Sequence, residues 1–442
     1  MRIERLKIQN FKQFSEYTLD LHPKFTLLVG DNGAGKTSLL DALAIAAGVW
    51  LVNAPDTTLS NSKRNILTNE IRLEAIESGG ITQFVEHKPV QITAIGYIGD
   101  QAVEWTRQIK ENGSRTSNSD AKIALEIISD LFRRDQDGEK LWFPVTAYYG
   151  AGRAWIASNK TDPKAKKSNG ISRRWHAFYD CFEERIRIAD LQTWFQKEAL
   201  ASLQRHGTMR PGYEIVKLAI LGGIPEAHDL WFDGDRGEIV ISISHRPIPF
   251  SNLSAGQKVM VALIADIAIK IVTQNAAFLS DINDPDPPDP DELPLILRNT
   301  SGLVLIDEID VHLHPQWQRH VVEDLIHTFP AIQFVCTTHS PIVIGEVPAD
   351  GVRILQAEAA IIPSSALGLD ANRVLDEVMN APERDPKVLE EFHTIFRLIN
   401  EEDFDGARQA ITELTALSTK WEIDDLEPEI TRARSLIKFL ED

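Results

Sequence analysis

Apolar positions alternate with polar ones from the start of the chain: Ile3, Leu6, Ile8 and Phe11, then Tyr17, Leu19 and Leu21, then the unbroken apolar run Phe25 to Val29. This period-two pattern predicts strands, and the run ending at Gly30 predicts a fully buried one. A glycine-rich turn follows, and Ser38 to Val49 reads as a helix. Between residues 51 and 140 polar turns separate β segments, with Pro89 to Tyr97 and Ala102 to Ile109 facing each other as a hairpin across Gly99-Asp100. Leu141 to Tyr149 predicts another buried strand, Trp175 to about Ile220 carries helical periodicity, and Glu238 to Ile243 reads as a strand.

The later part alternates more regularly. A helix over Gly256 to about Ala276 gives way to a Pro/Asp run from Asp281 to Glu292 that cannot pack a core. Two apolar strands, Leu303 to Ile306 and Ile332 to Cys336, then flank a helix, and strands alternating with helices predict a mostly parallel sheet. From Asp385 onward three amphipathic helices are expected, on Leu389, Phe392, Phe396 and Ile399, then Phe404, Ala407, Ile411 and Leu414, then Ile430, Ala433, Ile437 and Leu440.

Length adds a bound: 442 residues suit two or three units, or one large α/β domain with an insertion. The divisions read here are an N-terminal lobe 1–150, a helical lid or insertion 151–250, a C-terminal lobe 251–375 and a helical region 376–442. The net charge of −19 disfavours a protein coated in cations along a duplex. About half of it sits between Asp376 and Asp442, where 18 acidic residues face 8 basic ones. The opposite bias marks Arg153 to Arg174, which holds seven Lys/Arg, among them Lys160, Lys164, Lys166, Lys167 and Arg173, against Asp162 alone. That stretch is the expected nucleic-acid contact; a solvated loop without a ligand is the alternative. Only Cys181 and Cys336 are present, without zinc spacing, and neither a secretory leader nor an 18-residue apolar span occurs, so a cytoplasmic protein with no membrane contact is expected.

Three segments carry chemistry. Gly30-Asp-Asn32-Gly33-Ala-Gly35-Lys36-Thr37 fits the phosphate loop GxxxxGK[ST] between a strand and a helix. Backbone N–H groups would cradle phosphates, Lys36 would reach the β/γ oxygens and Thr37 would hold Mg²⁺. Leu303 to Ile306 ends in Asp307-Glu308, one carboxylate for Mg²⁺ and one to orient and deprotonate water. Thr337-Thr338-His339-Ser340 closes the next strand at the same edge, with His339 aimed at the γ-phosphate. Leu253-Ser254-Ala255-Gly256-Gln257-Lys258 begins a long helix, a second anion site whose bland alternative is a Ser-capped helix.

With these in hand the chain resembles the ABC-type ATPases of the SMC/RecF-like branch. Leu253 to Gln257 is similar to the LSGGQ signature, Asp310-Val-His-Leu-His314-Pro315 to the D-loop, and Asn10-Phe11-Lys12 to the opening NFR. More narrowly, Leu28-Val-Gly-Asp-Asn-Gly33, Ala147 to Arg153 and the tail resemble bacterial stand-alone ATP-binding proteins akin to the Septu-type and retron-linked anti-phage ATPases. The resemblance implies an α/β P-loop fold, an SMC-like head with an antiparallel β subdomain, a compact lid and C-terminal helices. It implies ATP and Mg²⁺ as cofactors, with Gly30, Asn32, Gly33, Gly35, Lys36, Thr37, Ser38 and Lys12 on the nucleotide. Ser254, Gly256 and Gln257 would act in trans in a homodimer, or a higher oligomer of dimers, and a nuclease would be the partner effector. A RecF-like repair ATPase is the alternative, and a transporter subunit ranks last.

Two positions depart from the branch: Lys12 replaces its Arg, and no Gln follows Tyr149 where a Q-loop belongs, leaving Arg153 as the substitute. The 217 residues between Lys36 and Ser254 hold no sustained heptads, which excludes a long coiled coil. Only 103 residues follow His339, and Asp403-Phe-Asp405 opens an amphipathic helix without a partner carboxylate, so no built-in nuclease is expected.

Overall fold

The computed structural model describes residues 1–55, 62–78, 81–154, 173–178, 180–279, 292–379, 381, 386–421 and 426–441. Its strands and helices in chain order begin with β1 (Arg2–Phe11), β2 (Phe14–Asp20), β3 (Phe25–Val29) and α1 (Lys36–Ala47). There follow β4 (Leu73–Ser78), β5 (Ile81–Glu86), β6 (Val90–Ile98), β7 (Gln101–Ile109), β8 (Ser117–Asp120), α2 (Lys122–Gln136) and β9 (Val145–Tyr149). The middle is α3 (Ile188–Leu203), α4 (Pro211–Gly222), β10 (Ala227–Asp233), β11 (Glu238–Ile243), β12 (Arg246–Pro249) and α5 (Ala255–Gln274). Next come α6 (Leu295–Asn299), β13 (Gly302–Ile306), α7 (Pro315–Gln318), α8 (Val321–Thr328), β14 (Ile332–Thr337), α9 (Pro341–Ile344), β15 (Val352–Leu355) and β16 (Ala360–Ile361). The last four helices are α10 (Ala371–Glu377), α11 (Pro386–Asn400), α12 (Phe404–Trp421) and α13 (Glu427–Glu441).

Met1–Ala371 and Asn372–Asp442 are two compact units. The divisions expected near residues 150 and 250 fall inside the first. That unit is built on a six-stranded sheet ordered β16-β15-β3-β14-β13-β9, parallel except for the short edge strand β16. Register brings Val29, Tyr149, Ile306 and Thr337 to one edge, since Ile306 pairs with both Cys336 and Tyr149, and Thr337 with Leu28. A five-stranded antiparallel sheet, β2-β1-β6-β7-β8, lies across α1. Helix α1 is apolar all round, Leu39 to Ala47 being buried, because it is sandwiched between the two sheets and has almost no solvent face. A third sheet, β10-β11-β12, joins α3 and α4 in the middle of the chain. The mostly parallel P-loop fold with an antiparallel subdomain is therefore as the sequence reads. The second unit has its own core, formed by residues such as Phe392, Ile395, Ile399, Ile411, Leu414, Ile430 and Ile437 on α11, α12 and α13.

Several boundaries differ for local reasons. The strand expected over Leu141–Tyr149 begins only at Val145, because Pro144 has no N–H to give a ladder; the Phe143 backbone instead exchanges two bonds with the Asn275 side chain, at 2.9 and 3.0 Å. Helix α2 was hidden among turn signals, although Ala124, Ile128 and Phe132 repeat at its period. The Pro/Asp run and most of the basic stretch lie outside the described residues. No helix among the described residues is long and apolar enough to cross a membrane.

Candidate nucleotide site

The turn between β3 and α1 owes its shape to glycine. Gly35, immediately before the helix, has φ 99°, and a side chain there would run into the Gln13 amide and the Phe14 ring. Gly33 also takes a positive φ, 85°, in open space, and Asn32 is exposed beside it. Lys36 folds back over the loop, its Nζ donating to the carbonyls of Gly30 (2.7 Å) and Asp31 (3.0 Å). Burial lowers the Lys36 pKa, while Asp307, Asp31 and Glu308 oppose that shift and favour the charged ammonium.

Next to it the two strand ends converge on Asp307. Thr37 Oγ1 donates to one carboxylate oxygen at 2.9 Å and Thr337 Oγ1 to the other at 2.6 Å. Asp307 is buried, so these hydroxyls hold a carboxylate that water does not solvate. Glu308 follows with φ 50°, its N–H donating to Thr337 Oγ1 at 2.7 Å. This left-handed step turns the chain sharply off the strand into the Asp310–His314 segment. Thr338 bonds Asp310 at 2.5 Å, and half-buried His339 lies between Thr338 and Ser340. The paired donors are hard oxygens, a carboxylate and a hydroxyl, which suit Mg²⁺ completed by water and phosphate. Among the described residues there is no group of three or more His, Cys, Asp or Glu that could hold a metal ion.

The signature segment is packed from behind. Ser254 caps α5 in a reciprocal box, its Oγ accepting from Gln257 N (3.2 Å) while Gln257 Oε1 accepts from Ser254 N (3.0 Å). Gly256 lies against the backbone of His312 and Leu313, so this helix start and the turn after Glu308 are in direct contact. Ser38 Oγ bonds Gln13 at 3.0 Å.

Lys12, expected on the phosphates, is engaged by carboxylates in this structure. At the turn from β1 to β2, with φ 50°, it forms ion pairs with Asp41 and Glu70, and its N–H donates to the Glu70 carbonyl at 2.7 Å. Arg64 pairs with the same two carboxylates, and they hold its guanidinium charged against the penalty of burial. Sequence reasoning missed this group. Asp41 alone gave a signal, as the one charge between Thr37 and Asp56 in an apolar helix. Tyr148 on β9 is a further unforeseen neighbour: burial, then Asp41, Asp307 and Glu184, push its phenol above the ordinary range.

Where a Q-loop belongs, Tyr149 donates to Asp266 at 2.6 Å and Gly150 N to the Glu184 carbonyl at 3.0 Å. The side chain of Arg153 lies outside the described residues, as do Lys160, Lys164, Lys166, Lys167 and the Arg173 side chain. Arg174 closes the same stretch, and its side chain is described. It is engaged by Asp135, the Leu141 carbonyl and the Gln274 carbonyl (2.6 Å), with its guanidinium 4.6 Å from the Phe143 ring centre. Those bonds use three of its five N–H donors inside the fold.

Comparison with known proteins gives matches over most of the chain. An AAA-domain family model matches residues 5–205, and a second, "AAA domain, putative AbiEii toxin, Type IV TA system", matches residues 220–345. The "Retron Vc95 probable ATPase" of Vibrio cholerae serotype O1 biovar El Tor is 25% identical over 80% of this chain and 73% of its own. The "Retron Ec83 probable ATPase" of Escherichia coli is 25% identical over 89% of this chain and 80% of its own. The Septu protein PtuA of Bacillus thuringiensis is 26% identical over 83% and 76%. With AAA-domain matches over both parts of its larger unit, the chain is an ATPase, similar to the retron probable ATPases and to the Septu protein PtuA.

Proposed function

We propose that the protein is a dimeric, nucleotide-driven switch that hydrolyses Mg-ATP in the cytoplasm and licenses a nuclease partner in defence against phage. The observation that carries the catalytic part is Asp307, held at once by Thr37 from the phosphate loop and Thr337 from the neighbouring strand, with Glu308 next in sequence. Lys36 exchanges the Gly30 and Asp31 carbonyls for the β/γ oxygens, and Gly30, Asn32, Gly33, Gly35 and Ser38 shape the cradle. Thr37 and Asp307 hold Mg²⁺, which when bound offsets the charge on those oxygens. Glu308 orients the attacking water and takes its proton, His339 attends the γ-phosphate, and Lys12 adds a cation to the phosphates. Ser254, Gly256 and Gln257 serve the partner protomer's nucleotide.

The defence assignment rests on the retron and Septu relatives, which match most of this chain. Nucleic-acid contact, on this reading, falls to the stretch from Arg153 to Arg174. The RecF-like alternative rests on a shorter likeness, such as 49% identity to the RecF of Colwellia psychrerythraea confined to 43 residues.

The test is a pair of variants assayed for nucleotide binding and phosphate release. Lys36→Ala loses binding, whereas Glu308→Gln keeps it and loses about 10²-fold or more in turnover. Wild-type turnover in Glu308→Gln would remove that residue from the mechanism.

A further inference from the structure

Two cations and two carboxylates meet beside α1. Lys12 pairs with Asp41 and with Glu70 (3.6 Å), and Arg64 pairs with Glu70 and with Asp41 (3.3 Å). The four side chains retain only 26% (Lys12), 11% (Asp41), 5% (Glu70) and 18% (Arg64) of their exposure, so the group is a nearly dry, charge-balanced quartet. In such surroundings a change of one charge is felt by the other three.

The two cations are held differently. Arg64 grips Glu70 through both terminal nitrogens, one of them at 3.0 Å from Oε2. Its own carbonyl and the Asn65 side chain are each bound at 2.6 Å by Arg107, a fully buried residue of β7 that also bonds the Ile45 carbonyl near the end of α1 at 2.6 Å. Lys12 is the most exposed of the four and carries a compact ammonium on a flexible stem, where Arg64 presents a fixed planar fork. Lys12 is therefore the member able to leave, and Arg64 the member that stays.

We propose that Arg64 is a positioning residue for the ATPase reaction: by occupying Asp41 and Glu70 it limits their hold on Lys12 and so sets how readily Lys12 is shared with the phosphates of ATP. The proposal rests on Lys12 being a phosphate contact, as set out above. When Lys12 turns to a nucleotide, the remaining three groups carry one net negative charge, with Arg64 shared between the two acids. Without Arg64 the same movement would leave two uncompensated buried carboxylates, so Lys12 would stay with them. Removal of either carboxylate does the reverse and releases Lys12.

Opposite signs make this testable by equilibrium titration of the full-length protein with a fluorescent ATP analogue and Mg²⁺. Arg64→Gln weakens binding by about threefold or more and Arg64→Lys regains part of it. Asp41→Asn and Glu70→Gln tighten binding by a similar factor, the scale of coupling within one salt-bridge network. In a Lys12→Met background all these shifts disappear. Weaker binding in the carboxylate variants, or shifts that persist without Lys12, would overturn the proposal and leave the quartet a structural strut. Wild-type affinity in Lys12→Met would do so as well, by removing Lys12 from the phosphates. Should Arg64→Gln fail to fold, Asp41→Asn and Glu70→Gln still decide the sign. Lys36→Ala is the separate control: retained binding there would sink the phosphate-loop reading itself, whatever the quartet does.

Discussion

Replacing Gly256 by Ala sets two effects of opposite sign against each other. By helix propensity alone the change stabilises α5 by about 1 kcal/mol. Yet the added methyl would lie 3.2 Å from the carbonyl carbon of His312 and 3.5 Å from Leu313 Cα, and closer still to the His312 oxygen. All three are backbone atoms of a turn that cannot yield freely. Ile309 N bonds the Thr337 carbonyl at 2.9 Å, Leu313 N the Asp310 carbonyl at 3.0 Å, and Gln318 Nε2 the Leu313 carbonyl at 2.9 Å. Relief requires the helix start and the turn to part by nearly 1 Å, a strain of about 1–3 kcal/mol by comparison with overpacked cores. The balance is a loss of up to about 2 kcal/mol, or a fall of up to about 3 °C in melting temperature for a unit this large. Because Glu308 opens the same turn, phosphate release falls further than stability, by about tenfold or more. The melting temperature is the discriminating reading, since any signature role of Gly256 lowers turnover as well. A variant that melts at or above the wild-type temperature would refute the close-packing argument.

If Ser254 serves the opposite protomer, mixing Lys36→Ala with Ser254→Arg subunits regenerates at most one of two sites in the mixed dimer, measured as phosphate release against mixing ratio; no recovery at any ratio argues against a shared site. A separate expectation concerns Asp324 on α8, whose carboxyl is pushed up to about 6 by burial, with Glu323 adding to the shift. A folded pKa above the ordinary 3.8 means the charged form costs stability in full above about pH 6, and the cost falls away as pH drops below 3.8, where both states are protonated. Asp324→Asn therefore raises the melting temperature at pH 7.5, by about 1 kcal/mol of stability after allowance for partial solvation, and leaves it unchanged at about pH 3. An equal effect at both pH values would show that the gain has another source.

The parts legible in the sequence were those that short stretches encode. Gly30 to Thr37 is eight consecutive residues whose glycines, lysine and hydroxyl act within one turn. The strand ends at Asp307 and Thr337 were readable because an apolar run stops where polar residues begin. What escaped is assembled from distant positions. Lys12 and Asp41 are 29 residues apart, Arg107 and Ile45 are 62, and Tyr149 and Asp266 are 117. No local periodicity records such pairs. Lys12 and Arg174 show the consequence, since residue type and neighbours in sequence suggest phosphate contacts but not the carboxylates that hold both in the fold.

The capping box at Ser254 bears on whether one serine can serve both its own helix and a neighbour's nucleotide. A hydroxyl has two acceptor lone pairs and one hydrogen. The cap uses only acceptor capacity, because Ser254 Oγ receives the Gln257 N–H at 3.2 Å, so the hydroxyl hydrogen remains able to donate outward. Ser254 is exposed at the start of α5, where the positive end of the helix dipole favours an anion. An Asp or Asn would cap the helix about as well. Asp, however, would bring a negative charge against an incoming phosphate, and Asn would offer an amide in place of the small hydroxyl. The two alternatives weighed for this segment, a capped helix and an anion site, are thus compatible in one side chain. The capping bond holds the hydroxyl in place before any anion arrives, which reduces the entropy lost when one is bound.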